Sequence, residues 1–260
     1  MSFSADWLAL RAPYDTAARN TMLEERLATW AARRIGATGR PLTVIDLGAG
    51  SGNNHRHLAS RIGVAQRWTL LDSDPCLLRL APDDVDTRLS DLGNGPAAAI
   101  PDDADLVTAS ALIDLVSERW LAALIARTTA VNAALFVVLS YDGRIGWEIE
   151  HPTDARVAAL INRHQRTDKG FGPALGPSAG DTLQRLSTRP VLEARSDWVI
   201  GADDGAMRSA LVEDWHAAAI EMAPEEHAAL NHWADTARLR AETLTVGHVD
   251  HLIPPREPAA

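Results

Sequence analysis

The stretch Val44-Ile45-Asp46-Leu47-Gly48-Ala49-Gly50-Ser51-Gly52-Asn53-Asn54 decides the fold. An apolar run, Leu42 to Leu47, reads as a buried strand, and three alternating glycines then turn the chain toward a polar, helix-forming segment at His55 to Ile62. Glycines tolerate positive φ and let a ligand approach the backbone. A dinucleotide fingerprint, Gly-x-Gly-x-x-Gly or Ala, needs a small residue at position 53, where Asn53 stands. A Walker loop needs Gly-Lys-Ser/Thr, which is missing. Asp46, inside the strand, is out of place beside a pyrophosphate and well placed beside an amine-bearing ligand.

Working outward, Trp68 to Leu71 is the next apolar strand and ends at Asp72, positioned to accept hydrogen bonds from a ribose diol. The alternation continues with a short helix near Pro75 to Leu80, strands near Thr87 to Leu89 and Asp105 to Ala109, a helix from Ser117 to Thr128 and the strand Ala133 to Leu139. Strands joined by crossovers imply a parallel sheet, whose ligand sits outside the C-terminal strand ends, near residues 48, 72, 91, 110 and 141. On the N-terminal side, Leu23, Leu27, Trp30 and Ala31 form the apolar stripe of an opening helix over 17 to 35. After Tyr141 the pattern breaks, and residues 141–180 read as an insertion over the site with a helix at Asp154 to His164 and a glycine-rich run from Lys169. A helix near Asp181 to Leu186, a strand Val191 to Ile200, helices near 204–222 and 225–242 and a strand Leu244 to Leu252 complete the chain.

Composition narrows the partners. Of 260 residues, 46% are apolar and 23% charged, the make-up of a globular protein. With 25 Lys plus Arg against 35 Asp plus Glu, the formal charge is -10, so nucleic acid and anionic membranes are poor partners. A lone cysteine, Cys76, allows no internal disulfide, and with no signal peptide or membrane-length apolar run the expected location is the cytoplasm. Oligomeric state is left open.

The strand-and-glycine segment Ile45-Asp46-Leu47-Gly48-Ala49-Gly50-Ser51-Gly52 resembles the first motif of the class I S-adenosylmethionine-dependent methyltransferases. Leu71-Asp72-Ser73-Asp74-Pro75 resembles their acidic second motif, Ser90-Asp91-Leu92 their adenine-side motif, and Asp105 to Ser110 their fourth-strand motif. The resemblance covers residues 42–140 and implies an α/β, Rossmann-like, doubly wound sheet, mostly parallel and seven-stranded with an antiparallel last strand. Helices would cover both faces, and helical insertions would form a lid. One domain over 1–260 is expected, with an N-terminal helical arm at 1–40, a cofactor core at 41–140, the lid insertion at 141–180 and the remaining sheet at 181–260.

The implied cofactor is S-adenosyl-L-methionine. Gly48 and Gly50 would form the turn beneath its methionine part, Asp46 would organise that loop and the amino group, and Asp72, with Ser73 beside it, would hold the ribose. Asp91 and the Leu92 N–H would meet the adenine, and Ala109 or Ser110 the ammonium. Plainer roles stand beside these: Asp91 suits a turn start before Gly93, and Ser110 suits a strand end.

Arg19 and Tyr14 are candidates to fold over the cofactor, Arg19 as the partner of a carboxylate. His164 and Tyr141 are the candidate catalytic groups, although Val157, Leu160, Ile161 and His164 share one stripe, the position of a packed histidine. Arg163, Arg166 and Lys169 suggest an anionic small-molecule acceptor. His248, Asp250 and His251 fail as a metal triad because strand alternation divides them between faces, and no metal is expected. The leading reading is methyl transfer to a small molecule. A catalytically silent S-adenosylmethionine-binding domain and an NAD-dependent oxidoreductase are the alternatives.

Overall fold

The computed structural model describes residues 4–256. Its sheet is built from β1 (Leu42–Leu47), β2 (Gln66–Asp72), β3 (Asp86–Leu89), β4 (Leu106–Ser110), β5 (Ala134–Trp147), β6 (Leu192–Arg195), β7 (Trp198–Ile200) and β8 (Leu244–Ile253). Strand order is β3-β2-β1-β4-β5-β8-β6, with β7 also paired to β8. β1 to β5 run parallel, and β8 lies antiparallel between β5 and β6. This is the doubly wound sheet the motifs imply, with one short strand more than the expected seven. The three antiparallel pairings, β5–β8, β6–β8 and β7–β8, all involve β8.

The helices are α1 (Ala5–Ala18), α2 (Thr21–Thr38), α3 (Asn53–Ile62), α4 (Pro75–Leu78), α5 (Glu118–Ala130), α6 (Asp154–His164), α7 (Ala179–Leu186), α8 (Gly205–Met222) and α9 (His227–Ala237). β1 is apolar except at Thr43 and Asp46 because both its faces are covered. Val44 and Leu47 are fully buried, Val44 in the layer with α2 and α3, Leu47 in the layer with α5 and α7. A third apolar layer lies beyond the sheet ends, where Tyr141, Trp198 and Trp233 pack with α6, α8 and α9.

Three expectations about element boundaries are corrected. The helix expected over 17 to 35 is α2, which starts at Thr21, and a further helix, α1, precedes it and ends at Ala18; Asn20 caps α2 by accepting from the Leu23 N–H at 3.2 Å. β5 continues through Tyr141 to Trp147, so Tyr141 lies within a strand and the excursion starts later than 141. Its ladder is interrupted between Val137 and Ser140, where Leu139 takes φ +54 and donates its N–H to Asp250 Oδ1 at 2.8 Å. A buried carboxylate thus accepts what the broken ladder leaves over. The run 191–200 divides into β6 and β7 around Ser196, whose N–H donates to the His248 carbonyl at 3.0 Å.

β8 separates its polar residues as alternation requires. His251 Nε2 lies 2.9 Å from Glu193 Oε2, and His248 Nδ1 lies 3.1 Å from the Val246 carbonyl. Among the described residues, no group of three His, Cys, Asp or Glu side chains could hold a metal, and no helix is long and apolar enough to cross a membrane.

Candidate active site

A crevice runs along the C-terminal ends of β1, β2 and β4 as two adjoining cavities of about 550 and 140 Å³. Gly48, Gly50 and Ser110 line both cavities. The glycine loop is left-handed at Gly48 (φ +64), Gly50 (+55) and Gly52 (+88). A Cβ on Gly50 would stand 3.0 Å from Leu8 Cδ1, and one on Gly52 2.9 Å from Pro82 Cδ, so both conformation and space demand glycine here.

At the larger cavity, Asp46 is fully buried and accepts from Asn54 Nδ2 at 2.8 Å. Its Oδ2 has no partner. Burial pushes its carboxyl up to about 7, opposed by the Asn54 hydrogen bond and the charge of Arg19. Arg19, at the α1–α2 junction, donates from Nη2 to Asn54 Oδ1, while its Nε and Nη1 have no partner. Burial lowers its pKa, and Asp250, Asp15, Glu24 and Asp46 oppose that shift. An amide therefore separates a buried cation from a buried carboxyl, each with unused hydrogen-bonding capacity.

At the smaller cavity, Asp72 is held by two backbone amides: Oδ2 accepts from Gly50 N–H at 2.7 Å and Oδ1 from Asp74 N–H at 2.9 Å. Each oxygen keeps a further lone pair for a ligand hydroxyl. Ser73 lines the same cavity. Asp91 also lines it and accepts from Gly93 N–H at 2.8 Å, so the turn-forming role and the cavity position coexist. Leu92 is fixed by its carbonyl, which accepts from Trp120 Nε1 at 2.6 Å. From the insertion, Phe171 reaches this cavity and meets Trp120 edge-on at 5.9 Å.

Other candidates lie elsewhere. Ala109 is buried in the β4 ladder between Leu47 and Val137, and Ser110 takes the cavity position. Tyr141 lines neither cavity; its hydroxyl donates to Asn162 Oδ1 at 2.8 Å, and burial raises its pKa. His164 also lines neither, standing 3.4 Å from Glu221 Oε2 at the end of α6, where burial and Lys169 lower its pKa. Lys169 donates to Thr167 Oγ1 at 2.8 Å, and Arg163, Arg166 and Lys169 stay outside the crevice. Tyr14 packs against the third apolar layer instead of lining the crevice. Long β5 carries Tyr141, and α6 carries Arg163 and His164, away from the glycine loop.

The sequence reading missed α1. Leu8, Arg11, Ala12, Asp15, Thr16 and Arg19 line the larger cavity at spacings of three, four, seven, eight and eleven. That is one face of a helix, laid over the glycine loop and tied by Asn53 Nδ2 donating to the Leu8 carbonyl at 2.9 Å. The stripe was legible, but it mixes apolar and charged residues and so carries little hydrophobic periodicity. Arg11 is held by Asp15 at 2.9 Å and lies 4.9 Å above the Trp198 ring. Asp114, in the segment after β4, is buried with Oδ1 unpartnered and its carboxyl pushed up by burial to about 6.

The chain has the Rossmann-like methyltransferase fold. It superposes with TM-score 0.50 on a structure named a "Putative Type II Methyltransferase" from Anaeromyxobacter dehalogenans, at 16% identity over 92% of this chain and 97% of that one. A cyclopropane-fatty-acyl-phospholipid synthase-like protein from Lactobacillus casei gives TM-score 0.50 at 14% identity over 94% and 98%. Phosphoethanolamine N-methyltransferase 2 from Haemonchus contortus, in complex with phosphomonomethylethanolamine and S-adenosylhomocysteine, gives 0.43 at 12% identity; the alignment covers 88% of this chain and about half, 52%, of that one. No family model and no curated protein matches the sequence.

Proposed function

We propose that the protein binds S-adenosyl-L-methionine and transfers its methyl group to a small-molecule acceptor. One observation carries the reading: Asp46, with Oδ2 unpartnered, and Arg19, with Nε and Nη1 unpartnered, line one cavity on either side of Asn54, and Asp72 lines the adjoining cavity across a bare glycine loop. A carboxyl beside a guanidinium suits the ammonium and carboxylate of an amino acid, and a strand-end carboxylate suits a ribose diol. The residues present therefore fit this cofactor. A diphosphate would instead face the carboxylates of Asp46 and Asp72.

Asp46 would receive the ammonium, Arg19 the carboxylate, Asp72 with Ser73 the ribose, and Asp91, Leu92 and Phe171 the base. When bound, the sulfonium supplies an electrophilic methyl and leaves as a neutral thioether. The protein's task is alignment, which in the best intramolecular cases removes ~7 to 11 kcal/mol of barrier. α1 contributes by walling the loop with Leu8 and Arg11. Arg11, which lines both cavities, is the group best placed to orient an anionic acceptor. With His164 and Tyr141 outside the lining and the lining His57 held by Glu24 at 2.6 Å, acceptors that lose no proton, or lose it to solvent, suit the crevice best.

Calorimetry with S-adenosylhomocysteine and a labelled-methyl screen against small acids test this. Binding with label entering an acceptor is expected. Binding without transfer to any pool would favour the silent sensor, and NAD binding without a response to S-adenosylhomocysteine would favour the oxidoreductase.

A further inference from the structure

At the opposite edge of the sheet lies a larger cavity of about 1140 Å³. Its walls include the first residues of β5 and β6, Ala134 and Leu192, and Leu252 near the end of antiparallel β8. That edge is where the parallel strands begin, whereas the cofactor crevice lies where they end. α2 forms one side from Arg26 to Ala37, a length of roughly 16 Å at 1.5 Å per residue.

Its charge departs from that of the chain. In a protein of net charge -10, the cavity is lined by five arginines, 26, 33, 34, 189 and 256, and by no Asp or Glu among the described residues. Arg34 is paired with Asp105 at 2.8 Å. Arg26 and Arg256 are exposed at the rim. Arg189 is only 5% exposed: its Nη1 donates to the Ala133 carbonyl at 2.7 Å, and its Nε has no partner. Thr129 Oγ1, in the same wall, is also buried and unpartnered. Burial and the neighbouring Arg256 both lower the Arg189 pKa, the strain an anion would relieve.

Beneath this rim the walls are apolar. Leu27 and Leu252 are buried, Trp30 is half-buried, and Leu192, Pro190, Pro254 and Pro255 continue the surface. Asn132, which could read a polar ligand, is spent on the Arg256 backbone at 2.8 and 3.1 Å. A nucleotide base would find few partners, whereas an apolar chain ending in an anion would satisfy both walls and rim. We propose that this cavity is a second ligand site, separate from the cofactor crevice, that takes a free medium- or long-chain carboxylate with its chain along α2 and its head among Arg26, Arg189 and Arg256.

Dodecanoate, titrated calorimetrically below micelle formation, is the probe. One saturable site is expected, weakened at least tenfold in Arg26→Glu/Arg256→Glu and retained in Arg26→Lys/Arg256→Lys, with dodecyltrimethylammonium and acetate not binding. Both substituted positions are exposed, and unchanged thermal unfolding of the variants verifies that they fold, independently of any cofactor binding. No saturable dodecanoate binding, equal affinity for the cationic analogue, equal affinity in the charge-reversed variant, or binding of an acidic peptide in place of dodecanoate would overturn the proposal.

Discussion

Arg19 and Asp46 are both buried at one cavity, yet they form no direct ion pair, because Asn54 lies between them, accepting from the guanidinium and donating to the carboxylate at 2.8 Å. A direct pair would have consumed the two charges. The intervening amide leaves each with unused hydrogen-bonding capacity, at the expense of two poorly solvated groups. Asn54 also donates to Thr108 Oγ1 at 3.2 Å, which ties the arrangement to β4.

Removing the cation separates the amino-acid end of the ligand from its nucleoside end. Arg19→Ala is expected to weaken S-adenosylhomocysteine by about ten- to a hundredfold, the range of a charged hydrogen bond worth ~1.5–3 kcal/mol. Methylthioadenosine, which lacks the amino acid, should be unaffected. Equal losses in calorimetric titrations of both would contradict the assignment.

The buried carboxyls set a pH dependence. Asp46 and Asp114 are raised in the folded chain to about 7 and about 6 from 3.8. The folded state therefore holds more protons than the unfolded state between about pH 4 and 7, and their contribution to stability is lost as pH rises through that window. Asp46→Asn is expected to raise the melting temperature of the ligand-free protein at pH 8 and to do little at pH 4. A parallel offset at both values would show that the carboxyl does not titrate as described.

Asp250 is a single point of failure. Its Oδ1 accepts from the Leu139 N–H at 2.8 Å and its Oδ2 from the Asn20 N–H at 3.1 Å. Asp250→Ala strands two backbone donors and removes a counter-charge from Arg19, and should cost about 3–5 kcal/mol. Urea unfolding reads this directly; a loss below about 1 kcal/mol would mean that water replaces the carboxylate.

Gly50→Ala forces a side chain into φ +55 and brings its Cβ to 3.0 Å from Leu8 Cδ1. A left-handed residue costs ~1–2 kcal/mol, and displacing α1 adds to that. Leu8→Ala in the same chain removes the contact and leaves the backbone term. Partial rescue of the melting temperature is expected, whereas complete or absent rescue would assign the effect to one source alone.

The order of elements from β1 to β5, the glycine turn and the acidic ends of β1 and β2 were legible in the sequence. Each is local: an apolar run between punctuating glycines reads as a buried parallel strand whatever the rest of the chain does. The motifs of residues 42–110 thus located one wall of the crevice. Ala109 against Ser110 was not separable, since one residue decides which side of a strand faces a cavity.

Sequence alone determined that this is a doubly wound α/β chain with an acidic glycine loop. Only the tertiary structure decided what covers that loop. α1 presents Leu8, Arg11 and Asp15 to the crevice because Trp7, Leu10 and Tyr14 pack into the third apolar layer while Trp198 meets Trp7, Arg11 and Asp15, a pairing across more than 180 residues that no local pattern encodes. The same distance effect removed His164 and Tyr141 from the crevice: the β5 ladder runs on past its bulge because β8, a hundred residues later, supplies the partner. Backbone hydrogen bonds and apolar burial between remote segments, not residue chemistry, chose which side chains line the crevice.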